Sequence, residues 1–251
     1  MTPLVLLSAA FAEPTFTPEL HIRPRFEVDT GEDAAEGGSR FFVIQRSRLG
    51  GSAVMGPVTA RAVLQDSRVW GVEADPGKVT AEDLDFRIAS VAFQLSDSTK
   101  LTVGRQEIRW NEQRLIAIAN WQPVGRVFDA VRIDVEQGLF HLEGFGAITA
   151  EGDTDAYEEE GVSAGVRTGV EGEGYFADGI YLFDGDNNDD HARHTAGVFA
   201  TAGQGLLSGQ LEAYLQRGET AGASISTGML GVNVSLSPEL AAKPKLTLWY
   251  D

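Results

Sequence analysis

The chain has 251 residues, a formal net charge of −17, 29 glycines and no cysteine. Such a charge repels a phosphate backbone and excludes a generic nucleic-acid binder, and the missing cysteines exclude a disulfide framework, thiolate zinc sites and thiol catalysis. The length suits one domain, and nothing in it reads as an interdomain linker.

Pro3 to Ala12 is a short apolar stretch closing on Ala10-Phe11-Ala12 before Glu13. This is the pattern of a signal-peptide core with a small-residue cleavage site, here without the usual positively charged start. Residues 1–12 are therefore expected to be a signal-peptide remnant and residues 13–251 the folded domain; a buried first strand is the other reading. No apolar run approaches the roughly 20 residues that a membrane helix needs. A membrane-crossing form of this chain has to be a closed barrel.

Leu20 to Val28 is the cleanest strand. Leu20, Ile22, Pro24, Phe26 and Val28 share one face, and His21, Arg23, Arg25 and Glu27 the other, because successive strand side chains point to opposite sides. Asp29 to Ser39, glycine-rich and acidic, reads as a loop. Arg40 to Leu49 follows as a strand, Gly50-Gly51 as a turn, and Pro57 to Val69 as another strand with Ala60, Ala62 and Leu64 opposite Arg61, Val63 and Gln65. Ala74 to Glu82, with Pro76-Gly77, is a loop. Asp85–Leu95 and Lys100–Trp110 form a hairpin around Ser96-Asp97-Ser98-Thr99, with Ala89, Val91, Phe93 and Leu95 on its apolar side. Strict alternation puts Arg105 on that apolar side as well, so either a bulge intervenes or the phase differs there.

A second hairpin joins Phe128–Glu136 to Leu139–Thr149 around Gln137-Gly138, with Val131, Ile133 and Val135 opposite Ala130, Arg132, Asp134 and Glu136. After the acidic loop from Glu151 to Glu160 the rhythm continues at Gly161–Val170, Glu173–Phe183, His194–Ala202, Leu207–Arg217, Ser226–Leu236 and Lys245–Tyr250. This makes roughly a dozen segments near the ~9–11 residues of tilted membrane strands, with no helical periodicity of comparable strength. Outer-membrane barrels commonly finish on an aromatic residue, whereas this chain finishes on Asp251. Since an unpaired edge cannot face lipid, the C-terminal strands are expected to be missing.

Between Gly104 and Ile133, arginines sit among strand formers and aromatics, with Glu107, Glu112 and Asp129 interleaved. Charge threaded through strand-like sequence needs a wet side and an apolar side, which a transmembrane barrel with a polar lumen supplies. The order GRQE from Gly104, QRL from Gln113, Trp121 and GRVFDAVR from Gly125 to Arg132 resembles the alginate export family of outer-membrane β-barrels. The resemblance implies a porin-type channel in the bacterial outer membrane whose lumenal arginines guide an anionic polysaccharide. It does not imply that the cargo is alginate.

The pore-lining candidates are Arg23, Arg25, Arg61, Arg105, Arg126, Asp129 and Arg132. An arginine fork suits carboxylates and stays charged; the alternative is that these groups pair locally and brace the wall. Asp184 to Asp190 concentrates oxygen ligands but lacks EF-hand spacing and its closing Glu, so a solvated loop is expected, with weak calcium binding the other possibility. His21, His141, His191 and His194 are scattered. There is no GxSxG, P-loop or HExxH, and catalysis finds no support. The expectation is an all-β, antiparallel, up-and-down transmembrane β-barrel, incomplete at its C-terminus. It would contact outer-membrane lipid and pass anionic carbohydrate or small anionic solutes without a cofactor. A soluble secreted β-sandwich binding carbohydrate or calcium is the rival class.

Overall fold

The computed structural model describes residues 13–29, 40–70, 84–150, 160–186, 191–238 and 245–250. The expected signal remnant at 1–12, the loop reading over 74–82, nearly all of the loop readings over 29–39 and 151–160, and the acidic tip at 187–190 lie outside the described residues. The strands are β1 (Thr15–Asp29), β2 (Arg40–Met55), β3 (Val58–Val69), β4 (Asp85–Ser96), β5 (Thr99–Gln106), β6 (Phe128–Gln137) and β7 (Phe140–Ala150). They continue as β8 (Glu160–Gly172), β9 (Tyr175–Asp186), β10 (His191–Gln204), β11 (Leu207–Thr220), β12 (Ala223–Leu236) and β13 (Leu246–Tyr250). Strand order follows chain order throughout, and there is no helix among the described residues. This is the antiparallel up-and-down meander that the hairpin spacing predicts, since parallel pairing would need crossover connections.

The chain divides into two compact units, one of Met1–Gln94 and Gly104–Val127, the other of Leu95–Val103 and Phe128–Asp251. In the first, β1 to β4 pair antiparallel in sequence order. Register sets Arg23 opposite Arg46, His21 opposite Arg48 and Ile22 opposite Ser47, then Arg46 opposite Ser67 and Arg48 opposite Gln65. One face of this unit is therefore basic and polar. The other carries Phe16, Leu20, Ile22, Phe26, Val91 and Phe93, all exposed.

The predicted turn at Gly50-Gly51 is corrected: both residues lie inside β2, and the chain reverses at Gly56-Pro57. A Cβ on Gly50 would meet the Ala62 carbonyl oxygen at 2.1 Å. The glycine there serves the close approach of β2 to β3, not chain reversal. Several strands also run beyond the predicted 9–11 residues, β2 reaching 16. The strand expected over Lys100–Trp110 ends at Gln106, and Gly104, at φ +110, breaks regular geometry just before Arg105. Such a residue is the expected mark of a bulge.

In the second unit, β6 to β13 pair in sequence order. Its outward row through Val131 and Ile133 is 51% and 37% exposed. Val91 and Phe93 of the first unit are 36% and 38% exposed, and Ala89 is exposed too, whereas Val135 is half-buried. A soluble sandwich would bury such side chains, worth about 1.5–3 kcal/mol each for the larger ones. Their exposure along one face of each unit's meander fits lipid contact.

One cross-strand row sets the upper limit of that apolar surface. Register aligns Phe183 with His194, His194 with Arg217, and Arg217 with Ser226; the Arg217 guanidinium donates to Ser226 Oγ, and Tyr181 OH pairs with His194 Nδ1 at 2.7 Å. Below it, the outward residues of β10 to β12 are Ala196, Val198, Leu211, Leu215, Leu230 and Val232. From Leu207 to Leu215 the strand advances roughly 27 Å at about 3.4 Å per residue. After strand tilt this approximates the height of a membrane barrel's apolar band, about 25 Å. Two-residue turns at 56–57, 97–98, 138–139, 173–174 and 205–206 alternate with longer connections as far as β11, after which the two-residue turn at 221–222 and the span 237–245 break the alternation.

Candidate functional site

The basic face of β1 to β4 is covered by its own chain. After β5 the segment 107–127 turns repeatedly, with Asn111, Gln113, Ala119 and Gly125 at positive φ, so the strand-like reading of this stretch is corrected. Ile108, Trp110, Ile116 and Ile118 are buried within it, as are Val63 and Ile88 on the basic side of the sheet. This burial on both sides fits a segment lying over that face.

Arginines hold it there. Arg23 donates to the carbonyls of Asn120 at 2.8 Å and of Trp121 and Gln122 at 3.2 Å. Arg46, only 1% exposed, donates to Asn120 and Gln122 at 3.0 and 3.3 Å. Arg25 donates to the Trp121 carbonyl and lies 4.5 Å from that indole's centroid, a cation–π distance. Gln65 reaches the Val124 carbonyl and Ser67 the Pro123 carbonyl, each at 2.9 Å. Arg87 bonds Val124 at 3.1 Å and Ile118 at 3.4 Å. Every carbonyl from Asn120 to Val124 thus accepts from the sheet, which satisfies backbone groups that a non-strand segment cannot pair with itself.

Arg87 owes its position to a register shift. Val63 pairs with Ile88 and Leu64 with Phe86, leaving Arg87 as the extra residue of a bulge. The same local geometry explains the glycine that opens GRVFDAVR. Gly125 has φ +79, and a Cβ there would lie 2.8 Å from Arg87 Nη1 and 3.0 Å from the Ile118 carbonyl oxygen. Any side chain would strain the backbone and displace the guanidinium.

Charge on this face is lopsided. Arg87 pairs with Glu107 at 2.8 Å, Arg48 reaches the same carboxylate at 3.9 Å, and Arg25 pairs with Glu27. Arg23 and Arg46 have no carboxylate partner among the described residues. Arg23 Nε, Arg46 Nε and Arg48 Nη2 are buried donors without an acceptor. Donors aimed at nothing in the protein leave capacity for an anion or ordered water.

The other sequence-predicted residues are dispersed. Arg61 pairs with Glu19 at 2.8 Å in an exposed bridge, worth little by itself. Arg105 bonds Asp85 at 2.8 Å. Arg126 is exposed, its amide held by the Ile118 carbonyl at 2.8 Å. Asp129 is exposed and pairs in register with Ile148, on the face shared by Val131 and Ile133.

Arg132, in the second unit, starts a charge ladder. It bonds Asp134 at 2.6 Å and Glu143 at 3.0 Å; Arg167 bonds Glu143 at 2.9 Å and Asp178 at 3.2 Å; Asp178 also meets His141. Sequence reasoning did not single out Arg46, Arg48, Arg87, Arg167, Glu143 or Asp178. The alternation Arg46-Ser47-Arg48, phased against Arg23, was the available signal for two of them. Gly169 lets this ladder close, because its Cβ would fall 1.9 Å from the Ala177 carbonyl oxygen and 2.5 Å from Asp178 Oδ1. We expect Gly169→Ala to cost about 1–3 kcal/mol through forced separation of β8 and β9. Denaturant titration in detergent checks this, and an unaltered midpoint would show that the strands relax freely.

The alginate export family profile matches residues 15–251. No curated protein matches the chain. Similar solved chains include one from a study of asymmetric conductivity of engineered proteins, at 11% identity and TM-score 0.37, covering 94% of this chain and 93% of that one. A double mutant of the Rh. blastica porin matches at 10% identity and TM-score 0.37, covering 92% and 93%. A family match spanning nearly the whole chain identifies it: the protein belongs to the alginate export family, a β-barrel transport channel of the bacterial outer membrane.

Proposed function

We propose that the channel passes anionic carbohydrate or small anionic solutes, drawn by the arginines of β1 to β4. The observation that carries this is the excess of guanidinium over carboxylate on that face, where Arg23 and Arg46 meet carbonyl dipoles instead of acids. In a protein of net charge −17, a local positive field needs such concentration, and low-dielectric walls strengthen it. Arg61, Arg105 and Arg132, each matched to a carboxylate as Arg25 is, contribute less field than Arg23 and Arg46. Arg126 belongs to the same proposed pathway through its place in the family motif, whereas Asp129, on the outward face of β6 with Val131 and Ile133, is left out of it.

Single-channel recordings on the full chain test this. Neutralising Arg23, Arg25 and Arg46 together with glutamine lowers the anion/cation permeability ratio, and neutralising Arg61 and Arg132 shifts it less. An unchanged ratio in the first variant makes these arginines wall braces and removes the anionic-cargo reading.

A further inference from the structure

The charge ladder of the second unit lines a cavity of about 270 Å³ whose chemistry differs from that of the arginine face. Each of its cations is already matched. Lys100 stands 3.6 Å from Asp134, Arg132 bonds Asp134 and Glu143, and Arg167 bonds Glu143 and Asp178. Glu136 and Glu171 also line the space, so acids outnumber bases and a free anion is repelled. No group of His, Asp and Glu side chains arranged to hold a metal exists among the described residues. An uncharged ligand that both donates and accepts hydrogen bonds suits such a lining best.

Two further observations point to that ligand. Asp134 Oδ2 is buried and lacks a hydrogen-bond donor, the Lys100 ammonium being too distant for a hydrogen bond. A hydroxyl in the cavity would supply the donor, and its oxygen could accept from a neighbouring cation. Beside the acids, Phe176 lies half-buried with His141 stacked on it at 5.2 Å and 10° and Phe199 edge-on at 6.0 Å. This ring pair offers apolar surface for the C–H face of a pyranose. Small-ligand sites characteristically combine apolar surface with a few convergent polar groups.

We propose that this cavity is a subsite for an uncharged sugar ring, with hydroxyls bridging Asp134 and the paired arginines while Phe176 and His141 support the apolar face. It rests on the reading of this sheet face as solute-facing, and adds that the channel recognises the hydroxyl pattern of its cargo separately from charge. Alternating acid and guanidinium along neighbouring strands, about 4.8 Å apart, gives successive hydroxyls a repeated choice of donor or acceptor.

The test is current block of the full-length channel in planar bilayers, with maltohexaose as the uncharged probe and an oligo-uronate as the charged one. Maltohexaose should block the wild-type channel transiently at millimolar concentration. Asp134→Asn should weaken that block by about tenfold, the scale of one hydrogen bond to a charged group, and Phe176→Ala by about tenfold through lost apolar contact with the ring. Absence of maltohexaose block in the wild type overturns the proposal without any variant having to fold. Block of equal strength in wild type and both variants overturns it too. Anion/cation selectivity recorded without sugar separates this from the anionic-cargo reading: selectivity without maltohexaose block defeats the sugar subsite alone, and block without selectivity defeats the arginine reading alone.

Discussion

Replacing Arg46 and Arg87 together with methionine should release segment 107–127 from the sheet. Methionine keeps an unbranched apolar stem in each buried position while removing one side-chain donor each to Asn120, Gln122, Val124 and Ile118, and leaves those from Arg23 and Gln65. Charge-assisted hydrogen bonds contribute about 1.5–3 kcal/mol each, but relief of repulsion among Arg23, Arg46, Arg48 and Arg87 offsets part of the loss. A net change on the order of 3 kcal/mol moves the docked-to-released ratio about a hundredfold. Limited proteolysis should then cut within 107–127 much faster than in the wild type, and single-channel conductance should rise. If both the cleavage rate and the conductance stay at wild-type values, the segment is held by its apolar core at Ile108, Trp110, Ile116 and Ile118 and the arginines are incidental to docking.

The second large effect concerns the outward surface. Val232 lies mid-band, paired in register with Leu211 on one side and Tyr250 on the other. An arginine in place of Val232 should cost about 2–4 kcal/mol in a bilayer, while Ser226→Arg, in the row with Arg217 and His194, should cost about 0–1 kcal/mol. Urea titration of the protein refolded into lipid vesicles measures both. Equal penalties would mean that the row through Phe183 and Ser226 is not the boundary of the apolar band. The comparison has an internal control, because both sites sit on β12 and face the same way.

Much of the architecture was legible because alternation is a local property. Leu20 to Val28 displays its two faces without any partner, and Gln137-Gly138 marks its own hairpin. Gly50-Gly51 misled because paired glycines signal either a turn or a close strand approach, and only the 2.1 Å proximity to Ala62 distinguishes the two. Segment 107–127 was opaque for a related reason. Its conformation depends on positive φ at Asn111 and Gln113 and on carbonyls captured by side chains from β1 to β4, none of which a local pattern encodes. Arg23 and Arg25 were accessible from the phase of their strand. Arg87 was not, since its orientation depends on the bulge opposite Val63 and Leu64. Arg46 needed the cross-strand register that sets it opposite Arg23.

The sequential strand order has a further meaning for how such a protein can vary. Within each unit, every described strand is bonded to the strands beside it in the chain. Inserting a hairpin at one of the tight reversals would interrupt a single ladder, leaving all other registers and their facing side chains intact. Duplication of a hairpin would copy an inward pair of side chains and an outward pair together, already in phase, so new cargo contacts could arise without rewriting the surface that meets lipid. A hairpin step thus changes such a sheet with least disturbance, whereas a single-strand insertion would reverse the direction of every strand after it.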